Sequence, residues 1–418
     1  MYNEIMEKIA IAVIGGGASG LFFVNALADY NENSGAPLPK TVVFERGERV
    51  GKKLSSTGNG QGNVTNRDAL TAEYFSSEQT AEQKISAILH AHSNQDFCAF
   101  WARRGVLLIH DERGRAYPAG RQASSLTDAL RFYAAEKGIE LRTSTCVTDI
   151  QRTENGFLLT YERAGETHTC QAENVVLCVG GKAAKNFGTD GTSYALVQKM
   201  GHTVTPLYPS LVQLKTDTAH IKTLKGIRVT NGGLTAKTSF GEYAVRGDII
   251  FTDYGVSGDA VFRISAFIAR SLSNEKTTLL IDFLPEYTQE SVLAAMEQKR
   301  ASYPSIDDGE LLLGIVNNQI GRAVLRRAAG DIHKAAALVK AFPLTVTGSL
   351  GFDYAQVTKG GVPLSETDEN LQSVFAKGLY FSGEVLDVDG QCGGFNLQWA
   401  YSSACAVAAA LAAAYKKI

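Results

Sequence analysis

Three glycines near the start of the chain have the spacing of a dinucleotide-binding turn. Gly15, Gly17 and Gly20 follow the apolar run at residues 9–14 and fit the pattern G-x-G-x-x-G. Such a turn lets the backbone approach a pyrophosphate and directs a helix N-terminus at its negative charge. A tight connection between a strand and a helix would give the same pattern, but the apolar runs on both sides favour a phosphate-binding turn.

Glu45 is the second residue with a chemical role in this pattern. It ends an apolar strand candidate at residues 41–44. A carboxylate at the end of the second strand can accept both hydroxyls of an adenosine ribose. The alternative is an acid that merely ends a strand at the surface.

The segment at residues 46–66 is rich in glycine and in short polar side chains. It cannot build a core, but its backbone N–H groups and its Ser, Thr and Asn side chains suit the wrapping of a polar ligand. A flexible surface loop is the alternative. Since long irregular loops are usually functional or disordered, we interpret this one as part of the ligand site.

Two further glycine-containing segments follow strand candidates later in the chain. The strand candidate at residues 175–179 runs into Gly180 and Gly181, and the one at residues 378–382 ends in Gly-Glu. Two acids and several glycines then precede a long helical pattern. Glycines before a helix expose free N–H groups and a positive dipole end, which can stabilise electron density on a cofactor ring. Ordinary turns are the alternative.

The surrounding patterns predict the elements that position these motifs. Helical patterns follow the first glycine turn and cover residues 81–104 and 124–137, and alternating segments at residues 146–174 indicate an antiparallel β-meander. Residues 205–253 have the alternation of an antiparallel sheet or barrel, and residues 260–341 are mostly helical in pattern. We therefore expect an α/β fold with one domain split by an insertion. The expected segments are 1–200, 201–350 for the insertion, and 351–418.

Composition excludes some classes of function. The chain has 418 residues and a formal charge of −2, which gives no electrostatic argument for a nucleic-acid partner or an anionic membrane. Its six cysteines form no C-x-x-C pair and its seven histidines have no metal-binding spacing, so we expect no metal site. We also expect a cytoplasmic protein, with no signal sequence and no apolar run near the roughly 20 residues that span a bilayer.

The motifs together resemble the FAD-dependent oxidoreductases grouped as YhiN-like or BaiN-like flavoproteins, which include proteins called aminoacetone oxidases. The resemblance covers nearly the whole chain. It rests on residues 15–20, 45–46, 52–66, 178–181, 251–258, 357–362 and 383–398.

The resemblance implies a two-dinucleotide-binding-domain-like FAD module, made of a Rossmann-type sheet plus a β-meander and interrupted by an inserted β-barrel and helical region. The glycine turn would hold the pyrophosphate, Glu45 the ribose, and the final helix the pyrimidine end of the flavin. The implied cofactor-binding residues are Gly15, Gly17, Ala18, Ser19, Gly20, Glu45, Arg46, Lys53, Leu54, Ser56, Gly58, Asn59, Asn63, Val147, Gly180, Gly181, Gly383, Glu384, Asp387, Gly394, Asn396 and Leu397.

The chain also departs from the family pattern near the expected flavin. Where the family usually has Gly-Arg-Cys-Asn, residues 60–63 are Gly-Gln-Gly-Asn, which removes a positive charge and a thiol. Thr-Met-Glu-Ser-Lys becomes Ser-Val-Phe-Ala-Lys at residues 373–377, and Gly-Gly-Tyr-Asn becomes Gly-Gly-Phe-Asn at 393–396. FAD binding through the backbone should survive these changes, but a mechanism that needs the lost groups should not.

The resemblance implies that FAD carries a hydride to or from a small organic substrate. No second glycine turn follows a strand, so we expect no separate nicotinamide-binding domain, which leaves oxygen, a transiently bound NAD(P)H or another protein as the electron partner. The alternatives are a redox-sensing flavoprotein whose insertion binds a partner and, against the charge balance, an enzyme acting on nucleic acid. Asp253 and Tyr254 are weak candidates for catalysis that could equally be turn residues. The sequence assigns neither the catalytic residues nor the oligomeric state.

Overall fold

The computed structural model describes residues 6–71, 74–239 and 241–416. The chain divides into two compact units, one of Met1–Leu207 with Val357–Ile418 and one of Tyr208–Gln356. The first unit is therefore assembled from two separate segments of sequence.

A mostly parallel sheet is the centre of the first unit. Its strand order is β7-β2-β1-β10-β9-β8, and β19 also pairs with β10. Strands β1, β2, β7, β10 and β19 run parallel, whereas β8, β9 and β10 form an antiparallel meander. The strands of this unit are β1 (Glu7–Ile14), β2 (Thr41–Phe44), β3 (Thr65–Asn66), β4 (Tyr74–Phe75), β5 (Leu108–His110), β6 (Arg115–Pro118), β7 (Glu140–Arg142), β8 (Thr145–Thr153), β9 (Gly156–Arg163), β10 (Glu166–Leu177), β18 (Val357–Lys359), β19 (Leu379–Phe381) and β20 (Asp389–Gly390).

Apolar helices cover this sheet. The first and last of them pack against each other, and their buried residues join the sheet residues in one core. The parallel strands are covered, so every residue of β2 and of the C-terminal half of β1 is buried. The helices are α1 (Ala18–Ser34), α2 (Ala81–Ala91), α3 (Asn94–Arg103), α4 (Ala123–Glu136), α5 (Tyr194–Lys199) and α10 (Phe395–Lys416).

The second unit contains a closed six-stranded antiparallel barrel of β12-β15-β14-β13-β16-β17 with its own core. Its strands are β11 (Tyr208–Ser210), β12 (Leu214–Thr216), β13 (Arg228–Thr238), β14 (Gly241–Phe251), β15 (Gly255–Ser257), β16 (Thr278–Asp282) and β17 (Phe342–Ser349), and its helices are α6 (Asp259–Ile268), α7 (Gln289–Ser302), α8 (Asn318–Ala328) and α9 (Ile332–Lys340). The expected fold class of Rossmann-type sheet, meander and inserted barrel is confirmed.

Two local expectations need correction. The helical region at residues 260–341 contains strand β16, which pairs with β13 and β17 and so completes the barrel. Helix α10 is long and apolar enough to cross a membrane by length and composition, although we expected no such run. Because 72% of its most apolar window is buried inside the protein, it has the surroundings of a core helix.

Candidate functional site

The glycine turn joins β1 to α1, and two of its glycines are required by packing. Gly15 has φ +106°, and a Cβ there would lie 2.3 Å from the carbonyl oxygen of Cys178. A Cβ on Gly20 would lie 2.0 Å from the carbonyl oxygen of Gly15. Both positions therefore exclude every larger residue, so the turn keeps the tight path that a phosphate-binding loop needs.

Gly17 is a glycine for a different reason. Its φ of −77° suits any residue, and no protein atom lies within 4 Å of the position that its Cβ would take. It is the N-cap of α1, which has no side-chain cap and no acid in its first turn. The first-turn N–H groups thus face open space beside Ala18 and Ser19, as an anion-binding helix end requires. This cradle fits the pyrophosphate of FAD.

Glu45 lies directly after β2, next to the glycine turn. Its carboxylate accepts hydrogen bonds from the N–H of Gly16 at 2.8 Å and from that of Gly47 at 2.6 Å. Each carboxylate oxygen keeps a further lone pair. The side chain is half-buried, so those lone pairs can accept from ribose hydroxyls beside the turn.

Arg46 is held by the protein itself. Its guanidinium pairs with Asp190 at 2.9 Å, donates to the hydroxyl of Thr192 at 3.1 Å, and donates to the carbonyl of Gly188. Burial opposes the charge of Asp190, but the hydrogen bonds from Arg46 and Thr192 outweigh it and lower the pKa of this carboxyl to about 2. Arg46 thus joins the end of β2 to the loop at residues 188–192, and its predicted contact with a cofactor stays a prediction.

The Arg46 pair should give the apoprotein a stability that depends on pH. Because the folded pKa of Asp190 lies below its ordinary value of 3.8, the pair stabilises the fold above about pH 4 and loses this effect as the pH falls towards 2. Both side chains are about one-third exposed, so Arg46→Met should cost about 0.5–1 kcal/mol at neutral pH. Thermal unfolding of both proteins from pH 7 down to pH 3 measures the difference, which should shrink in the acidic range. Arg49→Met, at an exposed neighbour, should cause no such pattern.

The loop at residues 46–66 is tied to the C-terminal segment by one ion pair. The ammonium of Lys53 lies 2.8 Å from Glu384, whose other oxygen accepts from the N–H of Thr358 at 2.8 Å. Lys53 also donates to the carbonyl of Ala183 at 3.4 Å. Three distant segments therefore meet at Glu384.

The remaining predicted residues of this loop occupy varied positions. Leu54 begins a single 3-10 turn and is 1% exposed, so its side chain belongs to the core. Ser56 donates to the carbonyl of Lys53. Gly58 and Asn59 are exposed with φ of +58° and +55°, which presents the backbone of the loop to solvent.

The paired glycines after β10 approach another backbone closely. Gly180 has φ +69°, and a Cβ on Gly181 would lie 2.4 Å from the hydroxyl oxygen of Thr358. That hydroxyl accepts from the N–H of Lys182 and of Ala183. Thr358 thus fixes the end of β10, a role that its motif in the sequence did not disclose.

The C-terminal Gly-Glu turn packs on the first helix. A Cβ on Gly383, which has φ +79°, would lie 2.7 Å from Ser19. Asp387 is fully buried, and its Oδ2 accepts from the N–H of Ser77 at 2.9 Å and from the Ser77 hydroxyl. Its Oδ1 has no hydrogen-bond partner among the described residues. A buried carboxylate oxygen without a donor fits a site that a hydroxyl-bearing ligand completes.

The start of α10 is held by the loop at residues 46–66. A Cβ on Gly394 would lie 2.6 Å from the backbone of Thr65, and the Asn63 amide oxygen accepts from the Gly394 N–H at 3.1 Å. Asn396 exchanges two hydrogen bonds with Gly390. Leu397 is partly buried against the core.

Two other expectations concern Val147 and Asp253. Val147 lies in β8 and is 8% exposed, and its predicted backbone contact with the cofactor stays a prediction. Asp253, in the second unit, forms an exposed ion pair with Lys225 at 2.9 Å, which is the arrangement of a surface residue. The described residues contain no group of three or more potential metal ligands.

The parallel sheet, the glycine turn and the acid after its second strand define a Rossmann-type FAD-binding protein. Comparison with known proteins gives the family. The pattern described as HI0933-like protein Rossmann domain matches residues 9–410, so the chain belongs to the HI0933-like family. The resemblance seen in the sequence is confirmed.

Named relatives and a solved structure agree with this class. The chain is 33% identical to a 3-dehydro-bile acid delta(4,6)-reductase of Clostridium scindens over 94% of this chain and 96% of that one. It is 27% identical to a ribosomal RNA dihydrouridine synthase of Haemophilus influenzae over 95% and 96%. The fold is similar to that of a 3-ketosteroid dehydrogenase from Rhodococcus jostii, with a TM-score of 0.51, 15% identity and 98% of each chain covered. The chain is an oxidoreductase of the FAD-dependent class.

Proposed function

We propose that this protein reduces a carbon–carbon double bond conjugated with a carbonyl group in a small organic molecule. FAD is the bound cofactor, and NAD(P)H is the transient electron donor. The proposal rests on the relative that shares 33% of its residues with the chain, whose name describes the reduction of double bonds in a 3-oxo bile acid. The second relative, a dihydrouridine synthase, also has a name that describes saturation of a ring double bond.

The chemistry of such a substrate agrees with a flavin site. A carbonyl in conjugation draws electron density from the double bond, so the distal carbon accepts a hydride and the carbon next to the carbonyl then takes a proton. FAD supplies the hydride when it is bound and reduced. The chain binds and orients the cofactor through the glycine turn, Glu45 and the segment that Glu384 ties to Lys53.

Conjugation provides the sharpest test of this proposal. The FAD-loaded protein would be reduced anaerobically with NADH or NADPH, and the return of flavin absorbance followed after mixing with a cyclohexenone. We expect rapid reoxidation by the conjugated isomer and none by the isomer whose double bond is isolated from the carbonyl. A conjugated keto-steroid extends the test to larger rings. Equal rates for both isomers, or no reoxidation by any enone, would contradict the proposal.

Uridine in ribosomal RNA is a second candidate substrate, favoured by the 27% identity to the dihydrouridine synthase. The formal charge of −2 weighs against it, because binding to phosphates uses clustered Lys and Arg side chains. Dihydrouridine content of ribosomal RNA, compared between cells with and without this protein, distinguishes the two candidates. A loss of one dihydrouridine would favour the RNA substrate.

We place the reaction in the cytoplasm, where nicotinamide donors are available. All six cysteines are free thiols, which suits a reducing compartment.

A further inference from the structure

Tyr117 is a nearly buried tyrosine whose hydroxyl has no hydrogen-bond partner within residues 6–71, 74–239 and 241–416. Only 6% of the residue is exposed, yet its phenolic oxygen makes no hydrogen bond with any described residue and is not sealed from solvent. Buried tyrosines usually pair their hydroxyl with a protein group. The hydroxyl is therefore able to hydrogen-bond a molecule that is not part of the described chain.

The strand that contains Tyr117 lies next to the part of the site where the flavin is expected. Tyr117 is on β6, which pairs with β3. Strand β3 in turn contacts the start of α10, since Thr65 hydrogen-bonds Gln398 at 2.5 Å and Asn66 donates to the carbonyl of Gly393 at 3.2 Å. Cys392, in the glycine run before α10, lies near enough to contribute to the raised pKa of the phenol. Tyr117 is thus close to the helix end expected to face the flavin ring.

Two guanidinium groups flank the ring of Tyr117. Arg121 lies 4.1 Å and Arg115 5.9 Å from its centre. Burial raises the pKa of the phenol, which keeps it protonated, while Arg115 and Arg121 favour the phenolate and Asp111 and Cys392 oppose it. The phenol can therefore give up a proton beside two charges that stabilise the product, as a general acid must.

We propose that Tyr117 is the residue that protonates the substrate during reduction of the conjugated double bond. This inference rests on the proposed function. Bound, reduced FAD would supply the hydride that forms the C–H bond at the distal carbon. The Tyr117 O–H bond would break and its proton would form the second C–H bond, at the carbon beside the carbonyl. The phenolate would regain its proton from water, and NAD(P)H would supply the two electrons for the next cycle.

The test compares two oxidants of the reduced protein. Wild type and Tyr117→Phe would be loaded with FAD, reduced with dithionite and mixed with a conjugated enone or with ferricyanide, which removes electrons without protonating carbon. We expect the variant to be reoxidised by the enone roughly a hundred- to a thousandfold more slowly and by ferricyanide at the wild-type rate. The fluorescence of bound oxidised FAD should also rise in the variant, because a nearby tyrosine quenches it.

Tyr133→Phe is the matched control. Tyr133 also has a guanidinium over its ring, that of Arg104 at 4.3 Å, but its hydroxyl donates to Asp29 at 2.6 Å. The Tyr133→Phe substitution should leave the reoxidation rates with enone and with ferricyanide unchanged, and also the fluorescence of bound FAD. If the enone reoxidised Tyr117→Phe as fast as wild type, Tyr117 would not be the proton donor. The same would follow if ferricyanide reoxidised the variant as slowly as the enone does. Either result would leave the proposed function standing. A wild-type protein that ferricyanide reoxidises and no enone reoxidises would overturn the proposed function, and this role with it.

Discussion

Gly17→Val is expected to abolish the retention of FAD while the apoprotein still folds. The isopropyl group would occupy the empty space in front of the first-turn N–H groups of α1, where no protein atom lies within 4 Å. The backbone at Gly17 is extended, with φ −77° and ψ −162°, which valine adopts easily. Titration of the apoprotein with FAD should show at least a hundredfold weaker binding, or about 3 kcal/mol.

Gly120→Val is the control for that substitution. Gly120 also lacks a positive φ, and its Cβ position is also empty within 4 Å, but it is exposed and lies outside the glycine turn. We expect it to bind FAD like the wild type and both variants to unfold at the wild-type temperature. Wild-type affinity in Gly17→Val would mean that the pyrophosphate lies elsewhere.

Glu45→Gln is expected to weaken FAD about 10- to 100-fold and to leave FMN binding unchanged. The carboxylate accepts from two backbone N–H groups and, in the proposed site, from the adenosine ribose, which FMN lacks. A glutamine has one acceptor oxygen where the glutamate has two, and its NH₂ group would face one of the N–H donors. Charge-assisted hydrogen bonds of about 1.5–3 kcal/mol each are therefore lost. Calorimetric titration of the apoprotein with each flavin measures the difference.

Glu48→Gln makes the same chemical change three residues away. The side chain of Glu48 is 78% exposed and pairs with Lys52 in its own segment, so neither affinity should change. An equal loss of FAD and FMN in Glu45→Gln would show that Glu45 acts by shaping the glycine turn rather than by binding the ribose.

The parts of the site that follow from local sequence could be predicted. Gly15 has the spacing of the turn, although the Cys178 carbonyl that excludes a side chain there comes from a distant part of the chain. Gly20 is required within the turn, because its Cβ would meet the Gly15 carbonyl, and Glu45 follows the strand that the apolar run at residues 41–44 predicts. These last two features depend on the turn and the strand next to them, so their spacing in the sequence carries the information. The same holds for the meander, whose strands are adjacent in the chain.

Other contacts depend on pairings that no local pattern contains. Arg46 meets Asp190, and Asp387 meets Ser77, across long stretches of chain. The resemblance implies a cofactor contact for Leu54, which stays a prediction, but the burial of its apolar side chain in the core was not predicted. Sequence spacing does not specify which loop residue turns inwards.

The lost family arginine shows the same limit of local reasoning. Gln61 stands where the family usually has this arginine, and we expected a loss of positive charge. In the structure, the guanidinium of Arg121 donates to the Gln61 side-chain oxygen at 3.2 Å. A cation from the loop before α4 therefore lies beside the substituted position.

The split of the first unit has a consequence for biosynthesis. Strand β19 begins at Leu379 and pairs with β10, which ends at Leu177, and α10 packs on α1. A ribosome makes the glycine turn early and its partners Glu384, Asp387 and α10 only after the whole barrel has emerged. The edge of β10 that pairs with β19 stays unpaired until β19 has been synthesised. The barrel is continuous in sequence and can fold before then. Cofactor capture is therefore a late event, and a chain interrupted in the barrel carries an exposed strand edge that invites aggregation.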